Sequence, residues 1–532
     1  MHDTLRRVSR VVVFPFLAAI YPTLALYAVN LREMVPLQQM VSPVVAAVVA
    51  TGSVLALLRL LLGDWARAGL LTLLLVVLFF TYGSAWDVMS GALSTGHLPV
   101  LALWAALAGA GFLVIRALPA SRVRAATPVL NLVSVALVLI NLLAVASFQF
   151  SVRADTGAAV PAMVGGTAAP PIERRPDIYW IILDRYGSGD VVREYYDHDI
   201  SPFLDDLRER GFYVAEDATA NYLKTAASLV SARNMEYLDG EKLQERATAG
   251  DDWSPLYRDL SDSFALLDVL RPQGYRFVYL GTYWEFTATH PDADLNYAYD
   301  GARSEFMTVL ADSTLLRATE LLGEDAALDP RRERWRLTRF QWDALDDTIR
   351  LGGPKLVHAH FALPHDPYVF RADGSFVPEE LARSRSTEEN YVDHVQYANA
   401  KVLEFVDELL AADPENPPIV IVQGEEGPYP QRFGMGQADF RWSDQATDEE
   451  LHEKFGVLSA FHLPGFPGQQ AEEAGLYPSI TLVNQFRVIL NRYLGTEFEL
   501  LPDRNIIWPQ QSDLYEFIDV TDRVRRMVER SE

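Results

Sequence analysis

Cysteine is absent from the 532 residues. That removes disulfides, thiolate zinc sites, iron–sulfur clusters and cysteine nucleophiles. A domain of this size needs no disulfide staple, so the absence does not choose a compartment. Lysine is scarce: five residues (224, 242, 355, 401 and 454) stand against 41 arginines. With abundant Ala, Leu and Val, this reads as genome composition rather than function. Positive charge as a whole is short, and the net charge is −25. Such a surface repels phosphate backbones and argues against nucleic acid as a partner. A bound cation or a zwitterionic substrate suits it better. Disorder is excluded too, because 49% apolar residues with 11% aromatics can bury a core.

An acidic soluble chain normally has negative mean hydropathy, yet here it is slightly positive. The offset lies at one end. Residues 1–150 hold nine arginines and only four acids, so residues 151–532 carry −30. Five apolar runs fill this front, at about 11–29, 41–58, 69–86, 98–115 and 128–149. Each is long enough to cross a bilayer as a helix. The first is too long for a signal peptide, lacks a clear cleavage site, and is followed by four more. Arg6, Arg7, Arg10, Arg59, Arg67, Arg116, Arg122 and Arg124 fall in alternate flanks, and only Arg32 in the others. This positive-inside bias places the N-terminus in the cytoplasm and residues after 150 outside. No charge lies deep in a run, which argues against a transporter or channel. The expectation is a five-helix membrane domain over 1–150, an Ala/Gly/Pro-rich linker over 151–176, and an extracytoplasmic domain over 177–532.

Short apolar runs at Ile178–Leu183, Arg276–Leu280, Leu356–Phe361 and Ile419–Val422 read as buried strands. Amphipathic stretches at 201–210, 263–270, 331–350 and 391–410 read as helices. Alternation of the two predicts an α/β domain whose mainly parallel sheet is covered by helices on both faces. Ligands of such sheets bind beyond the carboxyl ends of the strands.

Four segments place polar residues there. Asp184 ends the first strand and can offer oxygen to a hard cation, or serve as a turn residue. Thr225 opens an Ala-rich helical pattern, where dipole and free N–H groups favour phosphate oxygens. It could attack phosphorus, or simply cap the helix. His358 and His360 alternate along a strand and share a face. His365 follows in the loop, as a phosphate-oxygen donor, a leaving-group acid, or a histidine bonded to backbone. Glu425 and Glu426 follow a core strand between glycines and would repel unless a cation or a shared proton relieved them.

In this order the segments resemble the alkaline phosphatase/sulfatase superfamily. They are most similar to bacterial membrane-anchored sulfatase-like proteins related to lipoteichoic acid synthase. The resemblance rests on Pro176-Asp-Ile-Tyr-Trp-Ile-Ile-Leu-Asp184, Ser201-Pro-Phe-Leu, Arg210-Gly-Phe-Tyr-Val, Asn221-Tyr with Thr225 and Ser228-Leu, Ala359-His-Phe-Ala-Leu-Pro-His365, and Tyr477-Pro-Ser-Ile-Thr-Leu-Val-Asn484. It implies five membrane helices before the catalytic domain. It also implies Asp184 as metal ligand, Thr225 as nucleophile and ligand, and His365 as a contact to the transferred group. The family's late Asp-His metal pair falls on Glu425-Glu426, so both positions depart. A shell of Asp184, Thr225, Glu425 and Glu426 would be all oxygen, suiting Mn²⁺ or Mg²⁺, then Ca²⁺, better than Zn²⁺. A formylglycine sulfatase is disfavoured, because threonine cannot become formylglycine. The resemblance implies phosphoglycerol or phosphoethanolamine transfer, or phosphoester hydrolysis, on a lipid-linked or cell-envelope substrate at a bacterial inner membrane. The alternative is a non-catalytic relative that binds an envelope polymer or a membrane partner, with Glu425-Glu426 marking a lost metal site.

Overall fold

The computed structural model describes residues 11–33, 36–93, 96–154, 175–299, 304–322, 329–433 and 440–531. Most of the expected linker, and Arg6, Arg7 and Arg10, lie outside them. The chain forms two compact units, Met1–Ala159 with Arg303–Pro330, and Val160–Ala302 with Arg331–Glu532.

In the first unit, Leu37–Leu62, Trp65–Leu93, His97–Ala117 and Ala120–Ala154 are helices long and apolar enough to cross a membrane. Phe14–Val29 is a shorter apolar helix. Five spans were expected; four meet the length, and the first run forms only 16 helical residues. Its start has no cap of its own. Asn131 supplies one, its Oδ1 accepting from the N–H groups of Val13 and Phe14 at 3.2 and 2.9 Å. Gly63 ends the second helix in the left-handed region, at φ 68°.

Residues 304–322 also belong to this unit, although the sequence places them within the expected outer domain. Helix Glu305–Asp312 sets Phe306 edge-on to Tyr27 at 6.2 Å. Arg317 reaches Asp87 at 2.8 Å and lies over the Trp86 ring at 4.3 Å. Gly83 N–H donates to Ser313 O at 3.2 Å, and a Cβ on Gly83 would sit 2.0 Å from Asp312 O. Only glycine permits that backbone approach. Gly83→Val is therefore expected to free the segment. Tryptic cleavage at Arg317 should rise roughly tenfold, equivalent to about 1.4 kcal/mol of local opening. An unchanged digestion rate would contradict this packing.

The second unit is built on a seven-stranded sheet, in the order β2-β7-β6-β1-β5-β3-β4. The strands are β1 (Ile178–Leu183), β2 (Tyr213–Val214), β3 (Arg276–Leu280), β4 (Leu295–Tyr297), β5 (Lys355–Phe361), β6 (Ile419–Gln423) and β7 (Ser459–His462). β6, β1, β5, β3 and β4 run parallel; at one edge β7 pairs antiparallel with β6, and β2 pairs antiparallel with β7. Every residue of β1, β5 and β6 is buried. The apolar runs of β1 and of β6 up to Val422 are those of strands covered on both faces. Helix Thr387–Ala412 packs Val395, Val402 and Phe405 into the core of one face, and opens with a Ser386–Glu389 capping box. On the other face, Phe486 of helix Leu482–Leu494 meets the Trp180 ring at 5.0 Å. Register then positions the site. Leu183 pairs with Phe361, and Ile182 with both His360 and Gln423. The carboxyl ends of three central strands thus meet at one edge.

Candidate active site

Asp184 follows β1, His360 is the penultimate residue of β5, and Glu425 lies two residues beyond β6. Parallel pairing brings all three together, fully or nearly buried. One ligand atom from each lies within 4.8 Å of the others. His360 Nε2 is 3.5 Å from Glu425 Oε1 and 4.0 Å from Asp184 Oδ2.

Thr225 is the first residue of helix Thr225–Asn234, and Lys224 occupies the cap position. A capping threonine would spend its hydroxyl on the helix's own N–H groups. Thr225 Oγ1 instead donates to Glu425 Oε1 at 3.0 Å. Asp184, Thr225 and Glu425 therefore converge.

Glu426 points elsewhere. Lys454 Nζ lies 3.3 Å from its Oε2, and Arg185 Nε donates to its Oε1 at 3.3 Å. Protein cations around Glu426 offset only part of the repulsion expected between the two glutamates. Arg185 also binds Asp366 at 2.6 Å. Arg185, Lys224 and Lys454 surround the Tyr429 ring at 4.6, 4.7 and 3.8 Å. Burial pushes Lys224 below the usual lysine range and Lys454 down to about 7, each opposed by Glu426.

The trio fits a divalent cation. Asp184 Oδ1, Glu425 Oε2 and both His360 nitrogens are buried without a hydrogen-bond partner among the described residues. Orphaned polar atoms of this kind are costly unless something binds them. The expected all-oxygen set becomes oxygen with one imidazole, because His360 stands where Glu426 was expected. Such a donor set suits Mn²⁺ or Zn²⁺ as well as Mg²⁺.

His365 is buried, and its Nδ1 faces the carbonyl oxygen of Asp366. A carbonyl only accepts, so Nδ1 carries the proton. Burial and the adjacent Arg185 hold the ring well below the usual histidine pKa. The neutral ring then has a bare Nε2, which accepts hydrogen bonds. That geometry suits a base for an incoming hydroxyl better than an acid for a leaving group.

The sequence matches no family profile and no curated protein. Solved structures do align with it. Three of them are similar to this chain in fold. One is the C-terminal periplasmic domain of EptC from Escherichia coli, at 13% identity and TM-score 0.41, over 68% of this chain and 97% of that one. A second is the integral membrane lipooligosaccharide phosphoethanolamine transferase A from Neisseria meningitidis, at 12% identity and TM-score 0.40, over 90% and 95%. A third is an alkaline phosphatase superfamily protein from Vibrio parahaemolyticus, at 12% identity and TM-score 0.39, over 67% and 80%.

The site also dictates a pH dependence. Burial and the Glu426 charge push Glu425 up to about 7, and burial with both glutamates raises Asp184 well above the carboxylate range. A raised carboxylate favours folding below its unfolded value of 4.5 and loses that contribution as pH passes about 7. A cation must displace the retained proton. Mn²⁺ affinity is expected to fall about tenfold per pH unit below 7, with at least about one proton released per ion. Chelation should lower Tm more at pH 8 than at pH 5.5. Calorimetry in buffers of different ionisation enthalpy checks the first, and constant affinity from pH 5.5 to 8 would contradict it.

Proposed function

We propose that the chain is a membrane-anchored, metal-dependent phosphoryl-group transferase or phosphoester hydrolase with Thr225 as nucleophile. The observation that carries this reading is the Thr225 hydroxyl at a helix start, 3.0 Å from a carboxylate of the Asp184–His360–Glu425 trio. A divalent cation held by these residues, with the Thr225 oxygen beside it, would lower the hydroxyl pKa and offset charge on the reacting phosphoryl group.

The chain's own groups do the rest. Thr225 Oγ1 forms a bond to phosphorus, and the bond from phosphorus to the leaving alkoxide breaks. The threonine proton leaves along its hydrogen bond to Glu425 and ends on the departing alcohol. Arg185, Lys224 and Lys454 supply the positive field for the anionic group, with Glu426 keeping Arg185 and Lys454 in place. His365 Nε2 then accepts the proton of water or of an acceptor hydroxyl. That oxygen bonds to phosphorus, the bond from phosphorus to Thr225 Oγ1 breaks, and the proton taken up by His365 is passed on to the threonine oxygen, so that both side chains are restored.

The apolar front supports the location. We read Phe14–Val29 with the four longer helices as five spans, the N-terminus cytoplasmic and the sheet unit outside a bacterial inner membrane. The substrate is then a lipid-linked or cell-envelope phosphodiester, of phosphoglycerol or phosphoethanolamine type. Mass spectrometry of the purified chain after incubation with membrane lipids tests the reading. A phosphoester adduct on the Thr225 peptide is expected. Its absence in metal-loaded protein, together with normal cell function of Thr225→Ala, would favour a non-catalytic envelope binder.

A further inference from the structure

The membrane unit holds a cavity of about 710 Å³. Helices Leu37–Leu62 and His97–Ala117 are its walls, and Trp65–Leu93, packed against both, is its floor. The walls are rich in alanine. Ala46 and Ala50 stand four apart on one helix, and Ala105 and Ala108 three apart on the other, so each pair shares a face. Side chains this small leave the space between the helices unfilled. Trp104 is held as part of the wall, its Nε1 donating to Leu78 O at 2.8 Å. Met307 and Leu310, from the segment that joins this unit from far along the chain, complete the lining.

Shape and polarity together say what belongs there. Ala46, Ala50 and Ala105 line the cavity and are still exposed, so it opens on the flank of helices long and apolar enough to cross a membrane. Along helix Leu37–Leu62 it runs from Pro43 to Val54, about 17 Å at about 1.5 Å per residue. That is one leaflet, half of a hydrocarbon core of about 30 Å. Water does not hold so apolar a space, since each molecule needs several polar partners. One hydroxyl in the lining is unanswered. Thr72 and Thr314 donate to carbonyls four and three residues back, each at 2.8 Å. Thr23 also lines the cavity and is 1% exposed, yet its Oγ1 has no hydrogen-bond partner among the described residues. In hydrocarbon such a proton needs an acceptor. A membrane lipid carries one at the head of each chain, the ester carbonyl.

We propose that this cavity binds one acyl chain of an ester-linked phospholipid, whose ester carbonyl accepts from Thr23 Oγ1. The proposal rests on the membrane location and not on phosphoryl transfer. The chain supplies the packing that the alanines leave open, and interiors do not otherwise tolerate a void of this size. The lipid therefore stays with the protein when the bulk bilayer is removed.

The test uses the full chain, purified in mild detergent and equilibrated with an equimolar mixture of diester and diether phosphatidylcholine. The two lipids share headgroup and hydrocarbon, and only the diester has carbonyls. Native mass spectrometry reads the lipid retained. One phospholipid per chain is expected, the diester ahead by roughly threefold to fivefold, the worth of one hydrogen bond within a membrane. Thr23→Val keeps the shape and removes the hydroxyl, and should level the two forms. Ala50→Phe combined with Ala105→Phe fills the cavity and should lower retention by about tenfold or more. Retention by the filled variant equal to the parent's, adducts of detergent or free fatty acid alone, or a dimer carrying no lipid overturns the site. Equal diester and diether adducts on the parent chain, or a preference that survives Thr23→Val, overturns the contact to Thr23.

Discussion

Thr225→Ala is expected to lower phosphoryl transfer by roughly 10⁴-fold or more, the scale on which loss of a nucleophile is felt when its partners remain. Two features make this the largest effect. The hydroxyl is the atom that bonds to phosphorus, and no cysteine exists to replace it. The fold should survive, because Thr225 does not cap its helix and alanine is the best helix former. Thr225→Ser keeps an oxygen at the same place and should retain most activity. Single-turnover kinetics with a chromogenic phosphodiester, with circular dichroism as the folding control, checks both. Alanine protein turning over within tenfold of the parent would remove threonine from the mechanism.

The second large effect is on stability. Lys454 is fully buried, and its neighbour Glu426 is 1% exposed. Taking away only the carboxylate, as in Glu426→Leu, removes the group that holds the Lys454 proton and leaves the buried amine without its partner, a loss of up to about 3 kcal/mol. The Tm of the purified chain should fall accordingly. Replacing both partners, Glu426→Leu with Lys454→Met, should recover most of it, because apolar groups of similar volume need no pairing. The double variant should still be slow, by about 10²-fold, because the phosphoryl group has lost a cation. A double variant as unstable as the single one would show that the pair is not the reason.

The fold was largely legible from hydropathy. The uninterrupted apolar runs at 178–183 and 419–422 announce strands hidden on both faces, and β1 and β6 begin and end within a residue of them. β2, β4 and β7 were not legible, since two to four residues of mixed polarity carry no period. Asp184, Thr225 and Glu425 could be singled out because each follows a strand or opens a helix. His360 could not be paired with them. Alternation puts it on a face with His358, but only the register opposite Ile182 brings it to Asp184.

Glu426 illustrates a different gap. Adjacent side chains leave the backbone in different directions, so two neighbouring acids need not serve one centre. What answers Glu426 is Lys454, 28 positions later, and composition treats that lysine as one of a sparse population. The scarcity held information after all. Lys224 and Lys454 both flank the Tyr429 ring, so two of five lysines stand at the site.

Phe306 and Leu310 owe their dryness to Leu24, Tyr27 and Val138. Trimming the chain to begin at Arg175 would keep the first pair and discard its cover. Such a fragment should clump in plain buffer and dissolve only with detergent. Excising 304–329 as well, and bridging the gap with a short glycine–serine stretch, should yield a water-soluble sheet unit fit for crystallisation.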